Sequence, residues 1–410
     1  MLTLNTAKNP ERTRRVPKIG LAIAGGGPVG AIYELGALRA IDEGIDGLRL
    51  HQLDIYVGVS AGAFLCTSLA NQVTTSQMCR IFMGTSSAEF QFEPETFLKP
   101  AIEEYLSRIR NLPSAIYDLV SEAIRHPARL ARLESVGGLS KILPTGLFDN
   151  HTIDHFISRV LNRAGRTNDF RELETTLRVV AMDLDSGQAV RFGEPGYDHV
   201  PISKAVQASA ALPGLYPPVE IDGHYYVDGA LRRTLHASVA LHEGVDLLIG
   251  LNPLVPFDAE LQQRSHKELK ENRLIQGGLP LVLSQTFRAL IQSRMQIGIA
   301  KYADQFPKSS ILLVEPNRND ERMFFTNIFS YSSRNELAEH AYQTTRAELL
   351  SRADELEKFL APYDMQPNRE TLSDNRTLAT SLKHEPAFLA PLGNNLARSL
   401  DRLDRVLEEI

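Results

Sequence analysis

Apolar positions along this chain follow two periods, and the switch between them predicts where strands give way to helices. Residues 18–24 (KIGLAIA) form a short apolar run that predicts a buried strand. The run ends in Gly25-Gly26-Gly27-Pro28-Val29-Gly30. Apolar residues then recur at Ile32, Leu35, Leu38 and Ile41, a spacing that predicts an amphipathic helix stopped by Gly44 and Gly47. A second unit of the same kind follows. Residues 53–59 (LDIYVGV) predict a strand, and Ser60-Ala61-Gly62-Ala63 opens a helix that runs to about Asn71. Further strands are predicted at 177–183, 188–192, 246–251 and 311–315, with a hairpin over 219–227 that turns at Asp222-Gly223. Helices are predicted over 95–135, with breaks at Pro113 and Pro127, after Phe148-Asp149-Asn150 with Asp149 or Asn150 as its cap, and over 202–211 up to Pro213. Strands alternating with helices imply an α/β fold with three layers, α/β/α, around a mainly parallel sheet.

The same patterning suggests three regions. Residues 1–17, with Lys8, Arg12, Arg14 and Arg15, are expected to be a basic disordered leader. Residues 18–320 hold the alternating pattern and form the main domain. Residues 321–410 are helical only and form a C-terminal extension, in which 364–384 reads as a polar linker and 386–410 as a last amphipathic helix. Residues 279–300 carry Leu283, Phe287, Leu290 and Ile291 as a stripe, with Arg288 and Arg294 but no acid. The stripe is expected to face the core, with a membrane-surface helix as the alternative. Residues 96–133 share that ambiguity, and a mobile lid over an acyl site is one further reading of them.

Composition narrows the classes of function. The chain has 410 residues, 43% of them hydrophobic and 23% charged, with a net charge of −6. Such a chain can bury a large core, and its acidic balance argues against a dedicated nucleic-acid binder. Cys66 and Cys79 are the two cysteines and do not form a CxxC pair. A thiolate zinc site and a disulfide-framed domain are therefore not expected, and both thiols read as free core residues in a reducing compartment. No run of eighteen apolar residues predicts a transmembrane helix, and no apolar segment before Val16 reads as a secretory signal. The expected location is cytoplasmic, with peripheral contact at a membrane surface. His151 and His155 have the i, i+4 spacing of metal ligands, but without a glutamate motif or a third ligand they read as a solvated helix face.

Two motifs carry candidate chemistry. A glycine turn between strand and helix lets backbone N–H groups point at an anion, helped by the positive end of the helix. Gly25, Gly27 and Gly30 satisfy the GxGxxG pattern of a dinucleotide site, and the same turn can serve as an oxyanion hole. Gly58-Val59-Ser60-Ala61-Gly62 is a GxSxG motif at a strand-to-helix turn, where small neighbours let a sharp elbow present the Ser60 hydroxyl. A hydroxyl needs a base. His224 and His236 are candidates, and so is Asp228, in Asp228-Gly229-Ala230 at the end of a predicted strand; burial would raise its pKa toward that of a useful base. The dinucleotide reading weakens because the second strand ends in Gly58-Val59-Ser60, where an acidic residue is wanted.

In combination these blocks resemble the patatin-like phospholipases. The resemblance rests on the glycine loop, the GxSxG elbow about thirty residues later, Met182-Asp183-Leu184-Asp185-Ser186-Gly187, the stretch 208–219 (ASAALPGLYPPV) and Asp228-Gly229-Ala230. It covers about residues 18–235. It implies a serine hydrolase that cleaves lipid acyl esters, of the phospholipase A or lysophospholipase type, without cofactor or metal. By the resemblance Ser60 is the nucleophile and Asp228 its base. The N–H groups of Gly25, Gly26 and Gly27 form the oxyanion hole with a contribution from Ala61, while Gly30, Gly58, Gly62, Gly229 and Ala230 support the motifs. Val29 stands where the family commonly has Arg or Lys, and Ala24 where plant members have an acid. The implied partners are a lipid acyl ester and a transient membrane surface. An esterase, thioesterase or acyltransferase on a soluble acyl substrate is the nearest alternative, and a non-catalytic lipid-binding or scaffolding protein the alternative of another class.

Overall fold

A computed structural model describes residues 1–8, 16–83, 145–261, 273–325 and 331–382. Nine strands form one sheet, in the order β1-β10-β9-β2-β4-β5-β8-β7, with β6 paired to β5. Its centre is five parallel strands: β10 (Ser310–Val314), β9 (Leu247–Leu251), β2 (Ile19–Ile23), β4 (Ile55–Val59) and β5 (Thr176–Asp183). β2, β4, β9 and β10 are buried from end to end, as parallel strands covered on both faces must be. The antiparallel members are β1 (Leu2–Asn5), β6 (Ala189–Phe192), β7 (Val219–Ile221) and β8 (His224–Asp228). The hairpin β7–β8 turns at Asp222 and Gly223, both with positive φ (53° and 80°), so the turn type is the one these two residues favour.

Alternation along the strands divides the core in two. Leu21, Ile23, Tyr56, Leu247, Ile249 and Leu251 face one layer. Ala22, Ala24, Ile55, Val57, Val59 and Leu248 face the other. The first layer is thick. It holds α1 (Gly27–Gly44), α2 (Ala61–Ala70), α3 (Thr75–Phe82), α4 (His151–Leu161) and α5 (Ile202–Ser209), with α8 (Tyr331–Ser351) and α9 (Ala353–Leu360) contributing to the same apolar cluster. The second layer is thin and consists of α6 (Ala237–His242) and the C-terminal part of α7 (Gly278–Gln305), through Tyr302, Met295 and Ile299.

Several expectations need correction. The start of the chain is not a leader throughout: Leu2–Asn5 pairs with β10, and Leu2 is buried there, because four residues of alternating polarity suffice for an edge strand. Among the basic residues assigned to that leader, Lys8 pairs with Asp304, while Arg12, Arg14 and Arg15 lie outside the described residues. The helices after 320 do not stand apart from the sheet. α8 packs on α1, and β11 (Gln366–Pro367) pairs with β3 (Ile45–Asp46). Residues 364–382, the described part of the expected linker 364–384, are not a linker either, since α10 (Arg369–Ser373), α11 (Leu378–Ser381) and the residue after it bury Leu372, Leu378 and Leu382. Their polar residues are helix caps, with Asn368 accepting from Thr371 N–H and Thr377 from Thr380 N–H. The stripe of α7 is not core-facing: Leu283, Phe287 and Leu290 are exposed. The helices expected over 95–135, the lid and the helix over 386–410 lie outside the described residues.

Candidate active site

The site forms where β4 runs out. β5 carries β6 on one edge, along Val179–Met182. On its other edge β4 pairs with Thr176–Val180 and β8 takes over at Ala181–Asp183. β4 and β8 therefore meet end to end on one edge, running toward each other. Val59 lies opposite Val180, so the next residue, Ser60, leaves the sheet beside Ala181, the partner of Asp228. This register brings together two residues 168 positions apart.

Ser60 adopts φ 53° and ψ −123° between β4 and α2, a conformation that costs a non-glycine residue roughly 1–3 kcal/mol. Close packing enforces it. A Cβ at Gly58 would lie 2.4 Å from Ala63 Cα, and one at Gly62 would lie 2.4 Å from the Ile23 carbonyl oxygen. The Ser60 side chain makes no capping bond to α2. Instead its hydroxyl lies close enough to the Asp228 carboxylate to lower the carboxylate's pKa. Ser60 is nearly enclosed, at 7% exposure.

Asp228 is buried, and its Oδ1 accepts the Ala230 N–H at 2.8 Å. Burial pushes its pKa up to about 6, against the lowering effect of the bond from Ala230 N–H and of the Ser60 hydroxyl. Gly229 sits so close to β5 that a Cβ would lie 2.3 Å from the Val180 oxygen.

The glycine loop closes the third side. A Cβ at Gly25 would lie 3.0 Å from Ser60 Cβ and 3.2 Å from Ala230 Cβ, so the bare backbone of Gly25 faces the serine. α1 begins at Gly27, which has φ +59°, and Pro28 follows in its first turn. Helix N–H groups in a first turn have no partner within the helix, so this end presents donors. Gly30 N–H returns to the Gly26 carbonyl at 3.0 Å. Ala61 opens α2 next to the serine. Val29 is half-buried and packs against the apolar core of the thick layer.

The fold has matches among known proteins. A family model described as patatin-like phospholipase matches residues 21–241, more than half of the chain. The chain belongs to the patatin-like phospholipase family. It is accordingly a lipid acyl hydrolase, with the α/β fold of that family and additional C-terminal helices. Similar solved structures include VipD from Legionella pneumophila, at 14% identity over 88% of this chain and 82% of that one, TM-score 0.31. Human GIVD cytosolic phospholipase A2 in complex with methyl gamma-linolenyl fluorophosphonate is 13% identical over 90% of this chain and 60% of that one, TM-score 0.33. ExoU of the Pseudomonas aeruginosa type III secretion system, solved with SpcU, is 14% identical over 93% and 72%, TM-score 0.26.

Neither histidine weighed as a base reaches the serine of this patatin-like phospholipase. His236 is buried at the start of α6 and bonds the Gly229 carbonyl at 3.3 Å; burial lowers its pKa to about 4, so it is neutral near pH 7. His224 is exposed, with Nδ1 3.6 Å from Asp183. Asp183 Oδ1 accepts the amides of Asp185 (2.9 Å) and Ser186 (3.1 Å) and so closes the β5–β6 turn. His151 and His155 are exposed on α4. Cys66 and Cys79 are buried and form no disulfide with each other. No described helix is long and apolar enough to cross a membrane.

Two residues of the site were not singled out from sequence. Ser209 Oγ accepts the Ser60 N–H at 2.8 Å and donates to the Val180 carbonyl at 2.6 Å, tying the elbow to β5. Its only signal was its place in the Ala208–Val219 block. Pro253 fills the space behind the loop, where a Cβ on Gly26 would lie 2.5 Å from Pro253 Cγ. A proline after a strand carries no signal of that role.

Proposed function

We propose that Ser60 and Asp228 are a catalytic dyad that cleaves phospholipid acyl esters, in the manner of a phospholipase A or lysophospholipase. The observation that carries this reading is the strand register that sets the Ser60 hydroxyl beside the buried Asp228 carboxylate, at a point faced by the bare Gly25 backbone. With its pKa near 6, Asp228 is mostly ionised at pH 7 yet basic enough to accept a proton during attack. Ser60 Oγ attacks the ester carbonyl as its proton passes to Asp228. The N–H groups of Gly25, Gly26 and Gly27, with that of Ala61, receive the developing oxyanion, at roughly 3–4 kcal/mol per donor. Collapse expels the alcohol, which takes the proton from Asp228 and leaves an acyl-Ser60 ester. Water then gives a proton to Asp228, attacks the acyl carbon and releases the fatty acid, and the proton returns to Ser60. His236 is left as a neutral residue that supports the Gly229 turn. The substrate lies in a membrane or micelle, so the protein makes transient contact with a lipid surface.

The test is labelling with a fluorophosphonate together with a pH profile. Wild type should be labelled and Ser60→Ala should not. Asp228→Asn should lose roughly 10²–10⁴-fold in kcat/KM. In wild type kcat/KM should fall tenfold per pH unit below about 6, as a single group protonates. Near wild-type turnover by Asp228→Asn would remove the base.

A further inference from the structure

The middle of helix α7 is turned inside out. There Gln285, Arg288 and Gln292 face the body of the protein, while Met295, Ile299 and Tyr302 nearer its end pack on the sheet. Gln285 accepts the Phe257 N–H at 3.0 Å and donates to the Phe257 carbonyl at 2.7 Å. Arg288 donates to the carbonyls of Pro253 (3.3 Å) and Val255 (3.5 Å) and lies over the Phe324 ring, 4.8 Å from its centre. Gln292 is buried and bonds Asn252 and Glu315. Five apolar side chains point the other way: Val282, Leu283, Phe287, Leu290 and Ile297 are exposed, Leu290 at 58% and Ile297 at 57%. A helix ordinarily buries its apolar stripe, so an outward stripe backed by satisfied inward polar groups marks a surface made to meet something apolar.

Charge and position say what that is. No Asp or Glu occurs from residue 272 to 303, whereas Arg294 and Lys301 are exposed on the helix. An apolar face whose exposed charges up to residue 303 are cations matches a membrane surface with anionic lipid. Symmetric pairing of two such faces would set these cations against their own copies, and the helix's one acid, Asp304, already pairs with Lys8. The helix is also coupled to the chemistry, since Arg288 holds the carbonyl of Pro253 and Pro253 backs Gly26 and Gly30. We infer that the outward face of α7 seats the protein on anionic phospholipid beside the glycine loop. The inference rests on the lipid hydrolase reading and deepens it by naming the docking surface.

The experiment measures flotation with vesicles of phosphatidylcholine, with and without phosphatidylglycerol, and hydrolysis of both vesicle lipid and soluble p-nitrophenyl butyrate. Leu283→Ser, Phe287→Ser and Leu290→Ser combined should weaken vesicle binding on the order of tenfold or more. The same variant should slow vesicle hydrolysis far more than soluble-ester hydrolysis. Arg294→Gln with Lys301→Gln should weaken binding to the anionic vesicles and not to pure phosphatidylcholine. Ser60→Ala should bind vesicles as wild type does, so a failure of the chemistry and a failure of the surface are told apart. Unchanged vesicle binding by the triple variant overturns the inference, and so does loss of a dimer in its place.

Discussion

Helices α1 and α7 both reach the glycine loop, and they are built in opposite senses. α1 starts inside the loop at Gly27 and is pressed between the sheet and α8, with Leu35, Leu38, Ala40 and Ile41 wholly buried. Gly36 lets α8 come so near that a Cβ would lie 2.3 Å from the Ala338 oxygen. α7 touches the loop only through Pro253, holds it by side-chain bonds to backbone, and keeps much of its apolar surface outside. The loop is thus fixed from its own helix by a dense layer and backed from the other side by one proline ring. The oxyanion role proposed for the loop needs the first. Access to a lipid surface is compatible with the second.

The largest effect expected concerns the buried carboxylate at the junction of the strands. Its folded pKa of about 6 lies above the ordinary 3.8, so the native state binds the proton more tightly than the unfolded chain. Stability from this group is therefore full below pH 3.8 and is lost as pH rises through 6, by roughly 3 kcal/mol. Asp228→Asn should melt above wild type at pH 7.5, and the gap should close by pH 4. Equal melting curves across that window would mean that the carboxylate is not desolvated.

Next comes the contact between loop and Pro253. Gly26→Ala should push the loop off the proline and cut kcat/KM by about 10²-fold. Pro253→Ala in the same background should restore part of it by making room. A Gly26→Ala enzyme of normal rate would show that the loop is not held from that side.

The smallest effects compare the two helices directly. Gly36→Ala should destabilise by roughly 1–3 kcal/mol through overpacking against α8, a loss read from denaturant midpoints. Leu290→Ser on α7 should stay within about 0.5 kcal/mol, because that side chain already stands in water. A larger loss at Leu290 than at Gly36 would reverse the contrast between the layers.

Local signals made some of this legible. Both strand–turn–helix units, the Asp222-Gly223 hairpin and the GxSxG elbow were readable because glycine and turn chemistry act over a few residues. The C-terminal segment was misread for the same reason: Asn368 and Thr377 look like linker residues until they cap helices. Leu2–Asn5 was too short to stand out ahead of a basic run. Ser209 is a small polar residue in a helix, and only its two partners, Ser60 N–H and Val180 carbonyl, give it a role.

By itself the sequence determined the family, the α/β alternation and the two glycine-bearing turns, since each rests on neighbours in the chain. Only the tertiary structure decided that β8 takes up β5 where β4 ends, and this sets Asp228 beside Ser60. It also decided which stripe of α7 faces out. Periodicity shows that a helix has two faces, but which one is buried depends on what the rest of the fold places against it.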